Sequence, residues 1–211
     1  MWAFFSIIAT FLLSGVAANS LVQKWQYRNW VNQQRMLKAG IELEELKKLV
    51  EKITALADAR NYRARKICRS INNISDEGLL KLRDDYDGAV TAWNDSWNLF
   101  CVKLTMYADF GRFVVPLENL QTKFVKAGGL LLYALKNSNN PDVSFAKRDL
   151  EDVLNSLSGE TFGFSRDLLR LVISKEKLAY EERKYVFSRD TLESTSLWKL
   201  IKFLFELPEL D

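Results

Sequence analysis

The stretch 75–111, SDEGLLKLRDDYDGAVTAWNDSWNLFCVKLTMYADFG, has the most regular apolar spacing in the chain. Its apolar residues recur every three or four positions, which places them on one face of an α-helix. They are Leu79, Leu82, Tyr86, Val90, Trp93, Trp97, Phe100, Leu104 and Tyr107. Ser75 and Asp76 are candidate N-caps, and the helix is expected to end near Gly111. The aromatic packing stripe that this helix presents to its neighbours consists of Trp93, Trp97, Phe100 and Tyr107.

The segments on the C-terminal side of this stretch are also helical in pattern. Pro116 suits the first turn of the next helix, and the polar run 137–142 is a clear loop signal. A further helix is expected over 143–157, stopped by Gly159, and after a second loop another runs over 165–193. Glycine and proline are scarce, at 9 and 3 residues, and strand-like alternation is not evident. The sequence therefore predicts an all-α fold with a bundle of about five helices over 75–211.

The N-terminal residues form an uncharged apolar run that extends from Met1 to Ala18. Counted to Val22, the run is long enough to cross a bilayer core of about 30 Å as a helix. The small residues 16–18 resemble a signal-peptidase site, but a cleaved signal needs basic residues before its apolar run, and none is present. We therefore expect a retained signal anchor over 1–22.

The charge that follows the anchor predicts its orientation. Residues 1–75 contain 12 Lys and Arg against 5 Asp and Glu, a net +7, whereas 76–211 contain 18 against 22, a net −4. Cations close to one end of a span favour the cytoplasmic side. The expected location is the cell inner membrane, with Met1 outside, a basic juxtamembrane helical segment at 23–74 in contact with lipids, and the bundle in the cytoplasm. The helical pattern weakens at Gly40. Two interpretations therefore remain: the helix breaks there, or it is continuous and pairs with other copies as a coiled coil.

Two sets of residues are candidate interaction sites in the N-terminal third. Ser6, Thr10, Ser14 and Ala18 recur every four residues. They form a small-residue ridge that is either a self-association face, a pore-facing surface or simply part of a lipid anchor. The second set is the basic patch, which comprises Arg60, Arg63, Arg65, Lys66 and Arg69 around Tyr62. It is open to three interpretations: a structural helix face, a lipid contact or a nucleic-acid contact.

The C-terminal segment Leu197–Leu207 is strongly apolar, with its few charges on one face. It is expected to close the bundle, to lie on the membrane or to dock on a protein partner.

Several kinds of catalytic site are excluded by composition. The chain has no histidine, which removes histidine-based nucleophile activation and most catalytic zinc sites. Cys68 and Cys101 are expected to be free thiols. The aspartates of 84–87 fail the calcium-loop pattern, because its twelfth position would be Ser96. No cofactor, metal or enzymatic activity is predicted.

The uncharged N-terminus, together with a helical domain containing the 93–111 stretch, resembles a group of small bacterial single-span membrane proteins. Several of these occur in antiviral-defence loci, such as the pore-forming accessory membrane protein of type VI-B CRISPR systems. The resemblance implies a cytoplasmic helical domain that acts on a membrane. Some helical defence proteins carry an Arg-x-His ribonuclease motif, and without histidine no such role is carried over.

The favoured interpretation is a non-enzymatic, single-span membrane protein whose helical domain self-associates into a homo-oligomer. It would act as a membrane effector or scaffold, with pore formation or membrane perturbation in antiviral defence as its specific form. The alternative is a membrane-tethered module that recruits nucleic acid or a soluble protein through the basic patch.

Overall fold

A computed structural model describes residues 2–71, 76–137 and 143–183 of the chain. Those ranges contain four α-helices, α1 (Trp2–Ser70), α2 (Asp76–Tyr107), α3 (Phe110–Lys136) and α4 (Val143–Arg183), and no strand. The all-α prediction is therefore confirmed, but the bundle of about five helices is wrong in the described part of the chain, where residues 76–183 form three helices instead of the four predicted there. The segment Leu197–Leu207 lies outside the described residues.

The helix count differs because α4 continues through two glycines that were expected to interrupt it. Gly159 and Gly163 both lie inside α4, and neither has a positive φ. Glycine costs a helix interior about 1 kcal/mol relative to alanine, but the apolar face of α4 does not stop there. Its buried residues keep a spacing of three or four across both positions: Leu150, Leu154, Leu157, Thr161, Phe164, Leu168 and Val172. Burial of that face on both sides of the glycines outweighs their helix penalty.

The junction between α2 and α3 also differs from the prediction. The second helix ends at Tyr107, before Gly111, and α3 begins at Phe110 rather than at Pro116. Asp109 caps α3, because its carboxylate accepts a hydrogen bond from the backbone N–H of Arg112 at 3.0 Å. Such a cap stabilises a helix by about 1 kcal/mol, which helps α3 to tolerate a proline in its interior.

The residues Glu44–Ser174 form one compact unit. Contacts between its helices define an up-down-up-down arrangement in which sequential helices are antiparallel. Glu45 on α1 contacts Lys103 on α2, and further towards the C-terminal end of α1 Arg60 interacts with Tyr86, which lies nearer the N-terminal end of α2. The third helix bonds back to α2 through Gln121 and Trp93. Residues 44–70, assigned from sequence to the juxtamembrane segment, thus form one wall of the bundle.

The fourth helix closes the unit against α1 and α3. Asn61 of α1 bonds to Ser158, and Lys123 of α3 forms an ion pair with Glu160. The core at the centre is built from large side chains with almost no exposure: Leu46, Ile53, Ile67, Trp93, Phe100, Leu104, Phe113, Leu117, Leu120, Phe124, Leu131 and Leu150.

The described residues up to Leu43 and from Lys175 onward belong to a second unit. Its part of α1 runs through Gly40 without a break. Tyr27 and Trp30 are exposed and stack with their ring centroids 6.4 Å apart. Within the ranges that the structure describes, no helix combines the length and the apolar composition needed to cross a membrane. In the small-residue ridge, Thr10 is exposed, while the side chains of Ser6, Ser14 and Ala18 lie outside the described residues.

Candidate functional site

The basic patch lies on α1 within the Glu44–Ser174 unit, and its cations point in different directions. Ten residues of helix make almost three turns, so neighbouring side chains are spread around the axis. Arg60 is buried at 3% exposure, Arg63 and Arg65 are half-buried, and Lys66 and Arg69 are exposed. The patch therefore divides into a core cation, a cation at the α1–α4 contact and an outward face.

Arg60 reaches across the core to α3. Its Nη1 donates to Oε1 of Gln121 at 3.3 Å, and the same oxygen accepts from the indole Nε1 of Trp93 at 2.7 Å. The guanidinium carbon lies 4.6 Å from the ring centroid of Phe124, within the range of a cation–π contact. One amide oxygen thus serves two buried donors from two different helices.

The charge of Arg60 is held without a carboxylate among the described residues. Burial lowers the pKa of its guanidinium, and the charge and hydrogen-bonding contributions of Tyr86 oppose that shift. An ordinary arginine pKa is so high that the group stays protonated. Its Nε has no hydrogen-bond partner among the described groups. A buried cation of this kind depends on each neutral dipole around it.

Arg65 and Asn61 form a polar contact between α1 and α4. Nη2 of Arg65 donates to the backbone oxygen of Leu154 at 2.7 Å, to Oδ1 of Asn155 at 3.0 Å and to Oγ of Ser158 at 2.9 Å. The amide of Asn61 donates to the same Ser158 hydroxyl at 2.7 Å. The structural interpretation of the basic patch therefore applies to Arg60 and Arg65.

The remaining members form the outward face, which we define as Tyr62, Arg63, Lys66 and Arg69. Tyr62 is 67% exposed and lies one turn from Lys66. None of the three cations forms an ion pair with any residue in the described ranges. The nearby acidic run 84–87 belongs to α2, and there Asp87 is paired with Arg83 at 3.7 Å.

The aromatic packing stripe lies partly in the core. Trp93 and Phe100 are fully buried and meet edge to face with centroids 5.7 Å apart. Trp97 and Tyr107 are partly exposed at the margin of the bundle. Tyr107 donates to a carboxylate oxygen of Glu45 at 2.7 Å.

This contact changes the acidity of Glu45. The hydrogen bond from Tyr107, followed by the hydrogen bond and charge of Lys103, lowers the pKa of the Glu45 carboxyl. Both interactions favour the ionised form. The Glu45 carboxylate thus links the first residues of the α1 wall to the end of α2.

Sequence reasoning missed Gln121, the residue on which the buried network depends. The available signal was a single amide next to the apolar positions Leu120 and Phe124 on α3, close to the face that the periodicity assigns to the core. Both cysteines are free, as expected. The described residues contain no group of His, Cys, Asp or Glu that is arranged to hold a metal ion.

Comparisons of the chain with known protein families, with curated proteins and with solved structures gave no match. The function proposed below therefore rests on the chain's own residues and on the resemblance drawn from them above.

Proposed function

We propose that this protein is a single-span membrane scaffold or effector whose helical bundle brings copies of the chain together. The support for the anchor is the uncharged run Met1–Ala18 and the cationic segment that follows it. The proposed location is the inner membrane, with the bundle in the cytoplasm. Its proposed form of action is membrane perturbation or pore formation in bacterial antiviral defence, in line with the resemblance described above.

The observation that carries self-association is an apolar strip on α4, which we define as Phe162, Leu169 and Ile173. These side chains are 72%, 54% and 56% exposed. Their spacing of seven and four residues keeps them on one side of the helix, over about 17 Å of its length. Exposed apolar strips of this kind are typical of contacts between proteins. A second copy of the chain offers the same strip and gives a symmetric contact.

The test is the mass of the full-length protein in detergent, measured by native mass spectrometry and by amine crosslinking. The variant with Phe162→Ser, Leu169→Ser and Ile173→Ser is expected to lose oligomers. Phe145→Ser is the matched control, because Phe145 is equally exposed on the same helix but lies on another side. A wild-type protein that is strictly monomeric at micromolar concentration would rule out the scaffold.

The small-residue ridge provides a second arm of this test. Replacing Ser6, Thr10, Ser14 and Ala18 with leucine preserves apolar character but removes the close-approach surface. Membrane insertion is expected to survive, while assembly and any ion leak from loaded vesicles decrease. If both survive unchanged, the segment is only an anchor.

A second candidate function is a membrane-tethered binding module that uses the outward face. Three cations without described acidic partners and an exposed tyrosine suit the backbone and bases of a single-stranded nucleic acid. Fluorescence anisotropy with a labelled oligonucleotide tests it on the full chain. If Arg63, Lys66 and Arg69 each contact a phosphate, the logarithmic salt slope is about −2.

The triple alanine variant of these three cations is expected to abolish that binding, and Lys126→Ala, on the exposed surface of α3, is the control. Absence of binding even at low salt would remove the nucleic-acid interpretation while leaving the scaffold unaffected.

A further inference from the structure

A cleft of about 280 Å³ lies between α1 and α4 of the bundle. Its lining comprises Arg65, Cys68 and Arg69 from α1 and Glu151, Leu154 and Asn155 from α4. This volume approaches the lower end of the range for small-molecule sites, which are concave and carry a few convergent polar groups. The cleft is separate from the apolar strip and from the Arg60 network.

The two guanidiniums of the cleft differ in how they are held. Arg65 is fixed from one side, because its Nη2 bonds to three acceptors on α4 at 2.7 to 3.0 Å. Among the described residues no partner is present for its Nη1 and Nε. Arg69 lies one turn further along α1, is exposed, and forms no ion pair in the described ranges. One guanidinium held by α4 and one exposed guanidinium thus lie one helical turn apart, an arrangement suited to bidentate contacts with an oxyanion.

The other lining groups restrict the chemistry of the ligand. Burial, and secondly the charge of Glu151, raise the pKa of the Cys68 thiol, so this lining group contributes no charge at physiological pH. Glu151 is the one carboxylate in the lining, and it has no ion-pair partner among the described residues. Its carboxylate lines the same cleft as the two cations. Carboxylate oxygens accept hydrogen bonds, so Glu151 can accept them from hydroxyl groups on the ligand.

We propose that this cleft binds the phosphate group of a small phosphomonoester, with Arg65 and Arg69 on the phosphate and Glu151 on a neighbouring hydroxyl. A phosphate dianion matches the two guanidiniums in charge and in bidentate geometry. The hydroxyl contact distinguishes a polyol phosphate from inorganic phosphate. The proposal depends neither on the membrane anchor nor on nucleic-acid binding by the outward face.

Isothermal titration calorimetry on the full-length protein in a zwitterionic detergent tests this site, with inorganic phosphate and glycerol 3-phosphate as probes. Glycerol 3-phosphate is expected to bind more tightly than inorganic phosphate. Arg69→Gln is expected to weaken both at least tenfold, which corresponds to about 1.4 kcal/mol. Its exposed position keeps the fold intact, and an unchanged thermal unfolding curve verifies this.

Two further variants separate the site from general surface charge. Lys66→Gln removes an exposed cation three residues away that does not line the cleft, and it is expected to leave both affinities within twofold. Glu151→Gln is expected to reduce the preference for glycerol 3-phosphate over inorganic phosphate. Equal losses in Lys66→Gln and Arg69→Gln, or no loss in Arg69→Gln, would overturn the proposal.

The phosphate could belong to a soluble polyol phosphate or to the head group of phosphatidic acid, which carries the same phosphate monoester but no free hydroxyl for Glu151. Nanodiscs with and without phosphatidic acid distinguish these sources by competition with glycerol 3-phosphate. Competition that is lost in Arg69→Gln assigns the site to the lipid head group. Soluble binding without competition assigns it to a free phosphomonoester.

Discussion

Replacement of Gln121 with leucine removes the acceptor shared by two buried donors. The indole N–H of Trp93, with 0% exposure, lies 2.7 Å from the Gln121 oxygen, and Nη1 of Arg60 lies 3.3 Å from it. Leucine has a similar size but no polar atom, so both donors lose this partner. An unsatisfied buried donor costs about 1–3 kcal/mol.

The expected loss of unfolding free energy is smaller than twice that cost. Arg60 keeps its interactions with Tyr86 and with the ring of Phe124, and its bond to Gln121 is the longer of the two. The leucine side chain also gains a small hydrophobic contribution from burial. We therefore expect Gln121→Leu to lower the unfolding free energy by about 2–4 kcal/mol.

Urea unfolding of the full chain, followed by circular dichroism, measures this change. Asn119→Leu is the matched control, because it makes a similar change at an exposed position of the same helix, where effects are usually within about 0.5 kcal/mol. Gln121→Glu preserves the acceptor and places an anion near Arg60, so its stability at neutral pH should be at least that of the wild type. Comparable stabilities for Gln121→Leu and Asn119→Leu would refute the role assigned to the network.

Three further changes test other parts of the bundle. Thr161 is 2% exposed and its hydroxyl has no partner in the described structure, so Thr161→Val should raise the unfolding free energy by about 1 kcal/mol; a lower midpoint in urea would contradict this. Gly129→Ala should stabilise α3 by up to about 1 kcal/mol, since a Cβ at that position meets nothing within 4 Å. Gly128→Ala should not stabilise it, because the added Cβ would lie 3.1 Å from the Tyr86 hydroxyl. Equal thermal midpoints for the two variants would count against that contact. The folded-state pKa of Glu45 lies below its ordinary value. Its carboxylate therefore stabilises the fold at pH values above the ordinary pKa, and this contribution is lost as pH falls through the folded-state pKa. Glu45→Gln should flatten the acid limb of a plot of thermal midpoint against pH, and an unchanged limb would show that this carboxylate does not contribute.

Local pattern was sufficient for the helical class and for most of the core of α2 and α3. Trp93, Phe100 and Phe124 are buried where the three-to-four spacing placed them, because one face of a helix must leave water whatever covers it. The errors occurred at the helix boundaries. Gly159 and Pro116 are unfavourable in a helix interior by local propensity, but tertiary burial and the Asp109 cap outweigh that preference.

The basic patch could be recognised from the sequence, but the sequence could not show which of its cations are buried and which are exposed. Whether Arg60 faces Gln121, and whether Arg65 faces Ser158, depends on which helices flank α1 and in which direction they run. Contacts between residues separated by 61 and 93 positions are not encoded in local periodicity. The cleft arises in the same way, since neither α1 nor α4 contains it alone.

The amino-acid sequence by itself determined the all-helical class, the apolar faces and the separation of an uncharged N-terminus from a cationic segment. These features follow from composition and from the 3.6-residue period, which are properties of short stretches of chain. Tertiary structure alone decided which cations are buried, which remain on the outward face and which two guanidiniums line the cleft between α1 and α4. The reason is physical: burial and pairing are properties of the space between helices, and that space exists only when α1, α3 and α4 lie side by side.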